Sequence, residues 1–117
     1  MRALLVLVHG TPRPVANAEM LRVIDDLRAR DVFGLVEAAF MECNAPSIPD
    51  AIDAAVARGA TEIIAVPYFL HTGTHVCDDL PTLLEEGMAR HPGVAFRLGD
   101  YLGLSPVLTR ILKERAA

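Results

Sequence analysis

The sequence predicts an α/β fold, a four-stranded parallel sheet with helices on both faces. Three features of its pattern predict this. Apolar runs that read as strands buried on both faces recur along the chain. Each is followed by a segment whose apolar residues return at helical spacing. Proline and glycine sit where those segments should begin and stop. Alternation of this kind implies right-handed crossovers and a parallel sheet.

Residues 2–8 (RALLVLV) form a continuous apolar run ending at His9-Gly10, the first strand. Residues 15–30 are the first helix, with Met20, Leu21, Val23, Ile24 and Leu27 at helical spacing and charges between them. Residues 34–41 (GLVEAAFM) read as the second strand. Pro46-Ser47-Ile48-Pro49 opens a second helix, with Ser47 or Ile48 before a first-turn proline and Asp50 where the helix dipole favours an acid. Gly59 is its stop signal. Residues 62–67 (EIIAVP) are the third strand and residues 68–77 a loop. Asp78 and Asp79 then start a helix with Pro81 in its first turn, running to about Arg90. Residues 93–98 are a shorter fourth strand. Ser105-Pro106 opens the last helix, whose Val107, Leu108, Ile111 and Leu112 read as ordinary core. No repeat, linker or low-complexity segment interrupts this order, so residues 1–117 are expected to form one domain.

Composition narrows the function. A chain of 117 residues with 52% hydrophobic and 22% charged residues has enough apolar surface to offset chain entropy. The net charge of −4 argues against a nucleic-acid partner, which would want a basic face. The longest apolar run, residues 3–8, is far short of the roughly 20 needed for a membrane span, and no signal-peptide pattern opens the chain. Cys43 and Cys77 fit neither a CxxC spacing nor a disulfide framework, so a reducing cytoplasm is the expected location.

In open parallel sheets ligands bind outside the carboxyl ends of the strands. That rule points to His9-Gly10, Glu42-Cys43, the 68–77 loop and the 100–104 loop. His9 follows the first strand, where its imidazole can act as ligand or base. Glu42 follows the second. Cys43 reads as a small buried thiol. His71, His75 and Cys77 cluster in HTGTHVCDD; Thr72, Gly73 and Thr74 disfavour a helix there, so a loop directing His75 inward is expected and His71 is left to a structural role. His9, Glu42 and His75 thus come from the ends of three strands. Two imidazoles and one carboxylate make an open site for a borderline divalent metal, with positions left free for transfer. Gly10 and Gly73 allow the backbone to approach a flat ligand, and Arg13 lies where it can meet an anionic one. No G-x-G-x-x-G, Walker lysine or G-x-S-x-G elbow is present, so neither a nucleotide nor a serine nucleophile is expected.

Leu7-Val8-His9-Gly10, Phe40-Met41-Glu42 with Pro46-Ser47-Ile48-Pro49-Asp50-Ala51-Ile52, and VPYFLHTGTHVCDDLP closely resemble the small class II sirohydrochlorin chelatases (CbiX-like). The resemblance implies a chelatase-like (flavodoxin-like) half-domain and ATP-independent insertion of a divalent metal into sirohydrochlorin: Co2+ first, with Ni2+ or Fe2+ as alternatives. It carries the metal-site and catalytic roles onto His9, Glu42 and His75, and substrate contacts onto Gly10, Thr11, Arg13, Tyr68, Phe69, Leu70 and Gly73. The family's usual His-Gly-Ser reads His9-Gly10-Thr11 here. A chain of this length resembles one half of the larger relatives, which implies a homodimer that builds the cleft between subunits. Two other classes compete: a metal or tetrapyrrole carrier without turnover, and a small phosphoester hydrolase using His9 and Arg13.

Overall fold

The computed structural model describes residues 1–71 and 73–117, with the backbone alone for residues 74–77. The order is β1 (Arg2–Val8), α1 (Pro14–Ala29), β2 (Leu35–Phe40), α2 (Ile48–Ala57), β3 (Glu62–Pro67), α3 (Thr74–Arg90), β4 (Ala95–Leu98) and α4 (Pro106–Ala116). The strands form one sheet in the order β2-β1-β3-β4. All three pairings are parallel, with Val8 beside Phe40 and Leu7 beside Pro67.

The continuous apolar character of β1 follows from its central place. Ala3, Leu5 and Leu7 point to one face, where α2 contributes Ile48, Ala51, Ile52 and Ala55 and α3 contributes Leu80 and Leu84. Leu4 and Val6 point to the other, against Met20 and Ile24 of α1. β3 divides in the same way, with Ile63 and Ala65 on the first face and Ile64 on the second. Each face of a central strand therefore needs its own apolar set, and the period-two signal of a half-exposed strand disappears.

Local signals set the helix ends. The Ser47 hydroxyl accepts the Asp50 N–H at 3.2 Å, capping α2. Gly59, at φ +100°, ends α2 in the left-handed conformation that lets Ala60 N–H reach the Ala55 carbonyl. The start of α3 departs from expectation. It begins at Thr74 with Gly73 as N-cap, four residues before the Asp78-Asp79 pair, and Pro81 lies inside it. Glycine is poor within a helix but acceptable at the cap, and threonine costs little in the first turn. β2 and β4 are also shorter than the 34–41 and 93–98 runs.

The largest correction concerns α4. Ser105 caps it as expected, but none of its residues is buried. Leu112 is 71% exposed and Val107 49%, so this apolar stripe is not core. On the Leu4 and Val6 face of the sheet a groove of about 470 Å³ stays open, floored by Leu4, Val6 and Val66 and walled by Val23 and Leu27 of α1.

At the opposite end from the β-strand carboxyl termini, α2 and α3 are joined by a polar contact. His91 Nε2 lies 2.7 Å from Asp53 Oδ1, and Arg90 Nη2 lies 3.1 Å from the same oxygen. The His91 hydrogen bond, aided by Arg90, holds the Asp53 carboxyl below its ordinary 3.8. A depressed carboxyl contributes stability that is present above its unfolded value and lost as pH falls through the lower folded one. The pair is half-exposed, so the contribution is small. Asp53→Asn should lower Tm by about 3 °C at neutral pH. In thermal melts taken down the acid limb, the gap from wild type should close as pH falls below 3.8.

Candidate functional site

The pairing of β1 with β2 continues past both strands. Met41 N–H donates to the Val8 carbonyl at 2.9 Å, and Glu42 N–H donates to the His9 carbonyl at 3.0 Å. The first adds one rung to the parallel ladder; the second, from the very next residue, leaves the strand pattern and sets Glu42 beside His9. His9 Nε2 lies 3.2 Å from Glu42 Oε1 as a result. Both side chains are 59% exposed, so the pair stands at the rim, open to solvent.

Gly10 makes this approach possible. Its φ is +96°, and a Cβ there would overlap the Glu42 carbonyl. Thr11 follows, with both backbone polar groups held by side chains. Its N–H donates to Asn44 Oδ1 at 2.8 Å, and its carbonyl accepts from Asn17 Nδ2 at 3.2 Å. Its hydroxyl accepts the Arg13 N–H at 3.2 Å, leading into the Pro14 turn of α1. In the second loop, Asn44 N–H donates to the Glu42 carbonyl at 2.8 Å around Cys43, whose φ is +66°. Cys43 is an exposed free thiol, which corrects the buried thiol expected from sequence. The turn turns its side chain outward, and its backbone serves the geometry.

The His9 side chain is already partly oriented. Nδ1 lies 3.2 Å from the Gly10 carbonyl. In the tautomer with the proton on Nδ1, that contact is a hydrogen bond, and the Nε2 lone pair is left facing Glu42. Two ligands of one cation at ordinary bond lengths, separated by tetrahedral or octahedral angles, lie about 3.0–3.4 Å from each other. The 3.2 Å separation of Nε2 and Oε1 falls in that span.

Beside the pair a cleft of about 400 Å³ runs between the strand ends and α1, bordered by His9, Thr11, Asn17, Glu19, Met20 and Tyr68. Its lining is mostly apolar, from Val8, Ala16, Met20 and Val23, with a few polar groups among them, the usual make-up of a small-molecule site. The other expected site residues scatter. Tyr68 N–H donates to the Leu7 carbonyl, which holds its backbone at the rim, and the residue borders the cleft. Phe69 turns away and packs with the α2–α3 core. Leu70 is exposed, and its carbonyl sits where a Cβ on Gly103 would clash. Arg13 is exposed as N-cap of α1 and does not line the cleft. Gly73 is the N-cap of α3, with open space around it. His71 precedes that helix and is exposed, so it shares no helical face with His75. The side chains of His75 and Cys77 lie outside the described residues; the backbone places His75 in the first turn of α3. Among the described residues no three His, Cys, Asp or Glu side chains gather as a metal group, so the pair is the described part of the site.

The CbiX family model matches residues 3–117. The chain belongs to the CbiX family. A sirohydrochlorin cobaltochelatase of Priestia megaterium is 32% identical over 114 residues, 97% of this chain and 37% of that protein. One from Saccharolobus solfataricus is 31% identical, covering 98% of this chain and 93% of its own length. The sirohydrochlorin chelatase SirB of Bacillus subtilis subspecies spizizenii, in complex with cobalt, superposes with a TM-score of 0.91 at 26% identity, over 98% of this chain and 49% of that one. The chain spans about half the length of several curated relatives it matches.

Three residues of this CbiX chain that border or brace the site were not singled out by the sequence: Asn17, Glu19 and Asn44. Asn17 and Glu19 are two residues apart in the first turns of α1, and both border the cleft beside the His9 loop. Gly10→Ala should cost about 1–3 kcal/mol through its left-handed backbone and the Glu42 overlap. It should also part the two loops. Thermal melts would register the first effect, and the ring-nitrogen shifts of His9 moving to those of a free imidazole would register the second.

Proposed function

We propose that this chain is a sirohydrochlorin metal chelatase that inserts a divalent metal, Co2+ in the first place and Ni2+ or Fe2+ by the same ligands, into the macrocycle without a nucleotide. The observation that carries the reading is the His9–Glu42 pair, an imidazole and a carboxylate 3.2 Å apart at an open rim beside an apolar cleft. Membership of the CbiX family and the cobaltochelatase names of its relatives support it.

In this reading the metal is a substrate. His9 Nε2, Glu42 and His75 hold it and take the place of some of its waters, and the remaining positions stay open toward the ring. Insertion forms metal–nitrogen bonds and breaks two pyrrole N–H bonds. The two protons leave for solvent, with Glu42 or an imidazole as the first acceptor. Tyr68, Thr11 and the apolar floor of the cleft border the ring. Sirohydrochlorin carries eight carboxylates and this chain is acidic, so those groups face water, with Arg13 the cation nearest the His9 loop in sequence. Cytoplasm suits both reduced thiols and this chemistry.

Residues 1–117 act in this proposal as one unit, with a second copy supplying the facing half. Two facts support a homodimer: the superposition on about half of SirB, and the exposed apolar stripe of α4. The chain should sediment at the mass of two copies, and Leu112→Asp should move it toward one. A single-copy mass at every concentration would remove the dimer from the reading.

The decisive assay is metal-by-metal insertion into sirohydrochlorin followed by absorbance. The protein should accelerate insertion over many turnovers, and His9→Ala and His75→Ala should each lower the rate by about a hundredfold or more while circular dichroism stays native. Saturable binding with no insertion above the uncatalysed rate would make the chain a carrier. Full rates in both variants would displace the ligand assignment.

A further inference from the structure

We infer that Asn44 is a positioning residue that sets the distance between His9 and Glu42 by bridging the two loops that carry them. The inference rests on the proposed role of that pair in holding metal, and it adds a residue with no direct part in the chemistry.

The His9 loop has little of its own to hold it. After the His9 carbonyl accepts from Glu42 N–H, the ladder ends and Gly10 turns the chain into a left-handed conformation. From there the loop is fixed by side chains. Asn44 Oδ1 takes the Thr11 N–H at 2.8 Å, in a part-buried setting where an amide left without an acceptor is costly. At its other end Asn44 is tied to the ligand-bearing residue of the second loop, since its own N–H donates to the Glu42 carbonyl at 2.8 Å. One residue therefore bonds both loops. Its side chain also packs against Gly10, 3.3 Å from where a Cβ would stand. Asn17 completes the grip by donating to the Thr11 carbonyl at 3.2 Å, but it comes from α1 and has no bond to the Glu42 loop. Asn44 is the bridge, and Asn17 anchors the bridged loop to the helix.

A pair of ligands suits a cation only within a narrow range of separation. In a rim this exposed, packing does not enforce the 3.2 Å distance. The backbone seam fixes where the two Cα atoms lie, and the Asn44–Thr11 bond fixes how the His9 loop leaves that seam. Without the Oδ1 acceptor the Thr11 amide would turn toward water and the His9 ring would lose its fixed approach. Groups that orient metal ligands commonly change affinity by about ten- to a hundredfold when removed.

The test uses the intact chain and Co2+ alone, titrated by isothermal calorimetry, with amide exchange measured at Thr11. Asn44→Ala should weaken Co2+ about tenfold and speed Thr11 exchange. Asn44→Asp, which keeps the acceptor, should retain both the protection and at least the wild-type affinity. In a His9→Ala background, Asn44→Ala should change the affinity by less than about twofold, because a residue acting through His9 has nothing left to position. Should Asn44→Ala fail to fold, Asn44→Ser, too short to span the gap, carries the same expectations. Wild-type affinity in the folded Asn44 variant, or an undiminished loss in the His9→Ala background, overturns the positioning role. Wild-type affinity in His9→Ala alone overturns the ligand reading beneath it, and the positioning role falls with it.

Discussion

Two backbone hydrogen bonds beyond the last residues of β1 and β2 govern the rim of this molecule. Met41 to Val8 adds a last rung to the parallel ladder, and Glu42 to His9, made by the very next N–H, turns the second loop toward the first. Both bonds keep the residue offset that pairs Val8 with Phe40, so the loops leave the sheet in the register that the strands already have. That register is in turn held by the buried faces of β1, where Leu5 and Leu7 have no exposure. A slip of one residue would swap those side chains with Leu4 and Val6 between two cores of different shape. The position of an exposed imidazole is thus inherited from the least exposed residues of the chain. The one requirement the seam adds is a residue without a side chain at position 10, where the Glu42 carbonyl occupies the space a Cβ would need.

The two faces of the sheet are covered unequally, and this decides where the cleft opens. α2 and α3 lie over one face, and their apolar residues join with Leu5, Leu7, Ile63 and Ala65 into one cluster. α1 supplies the helical residues of the cluster on the other, and no residue of α4 is buried. The strand ends on the α1 side therefore border empty volume, and the cleft beside His9 and the groove over Leu4, Val6 and Val66 share Val23 and Tyr68. A fold that covered this face completely would leave no room for a broad, flat ligand next to the pair.

Different parts of this arrangement were legible in the sequence for different physical reasons. β1 and β3 could be read to the residue because burial on both faces writes an unbroken apolar run, closed by His9-Gly10 and by Pro67. The meeting of His9 and Glu42 was legible from topology, since parallel strands that are neighbours bring their carboxyl ends to one rim. The start of α3 was not, because Gly73 and Thr74 weigh against a helix interior yet suit its first positions. The apolar side of α4 was legible as a side, but amphipathic spacing says nothing of what covers it. Cys43 and Asn44 were misjudged or passed over for one shared reason. Residue type sets a preference for burial or bonding, while a single positive φ at Cys43 decides which way the thiol and the next amide point.

The exposure of the pair bears on the metal chemistry proposed for it. A structural ion is usually enclosed by four protein ligands, and the free energy of that closed shell becomes folding free energy. Nothing about His9 and Glu42 encloses: each is more than half exposed, and the core beneath them is complete in apolar side chains alone. An ion held there, as the proposed function has it, would contribute little to the fold and could leave at little cost to it. Transfer into a macrocycle needs that property, since a ligand set that binds too tightly competes with the ring nitrogens for the same cation. Positioning by backbone and amide hydrogen bonds meets both demands, because it fixes the ligand separation without adding donors to the ion. In the proposed function, a rim built this way would draw its selectivity from geometry and give up the affinity that a closed shell would bring.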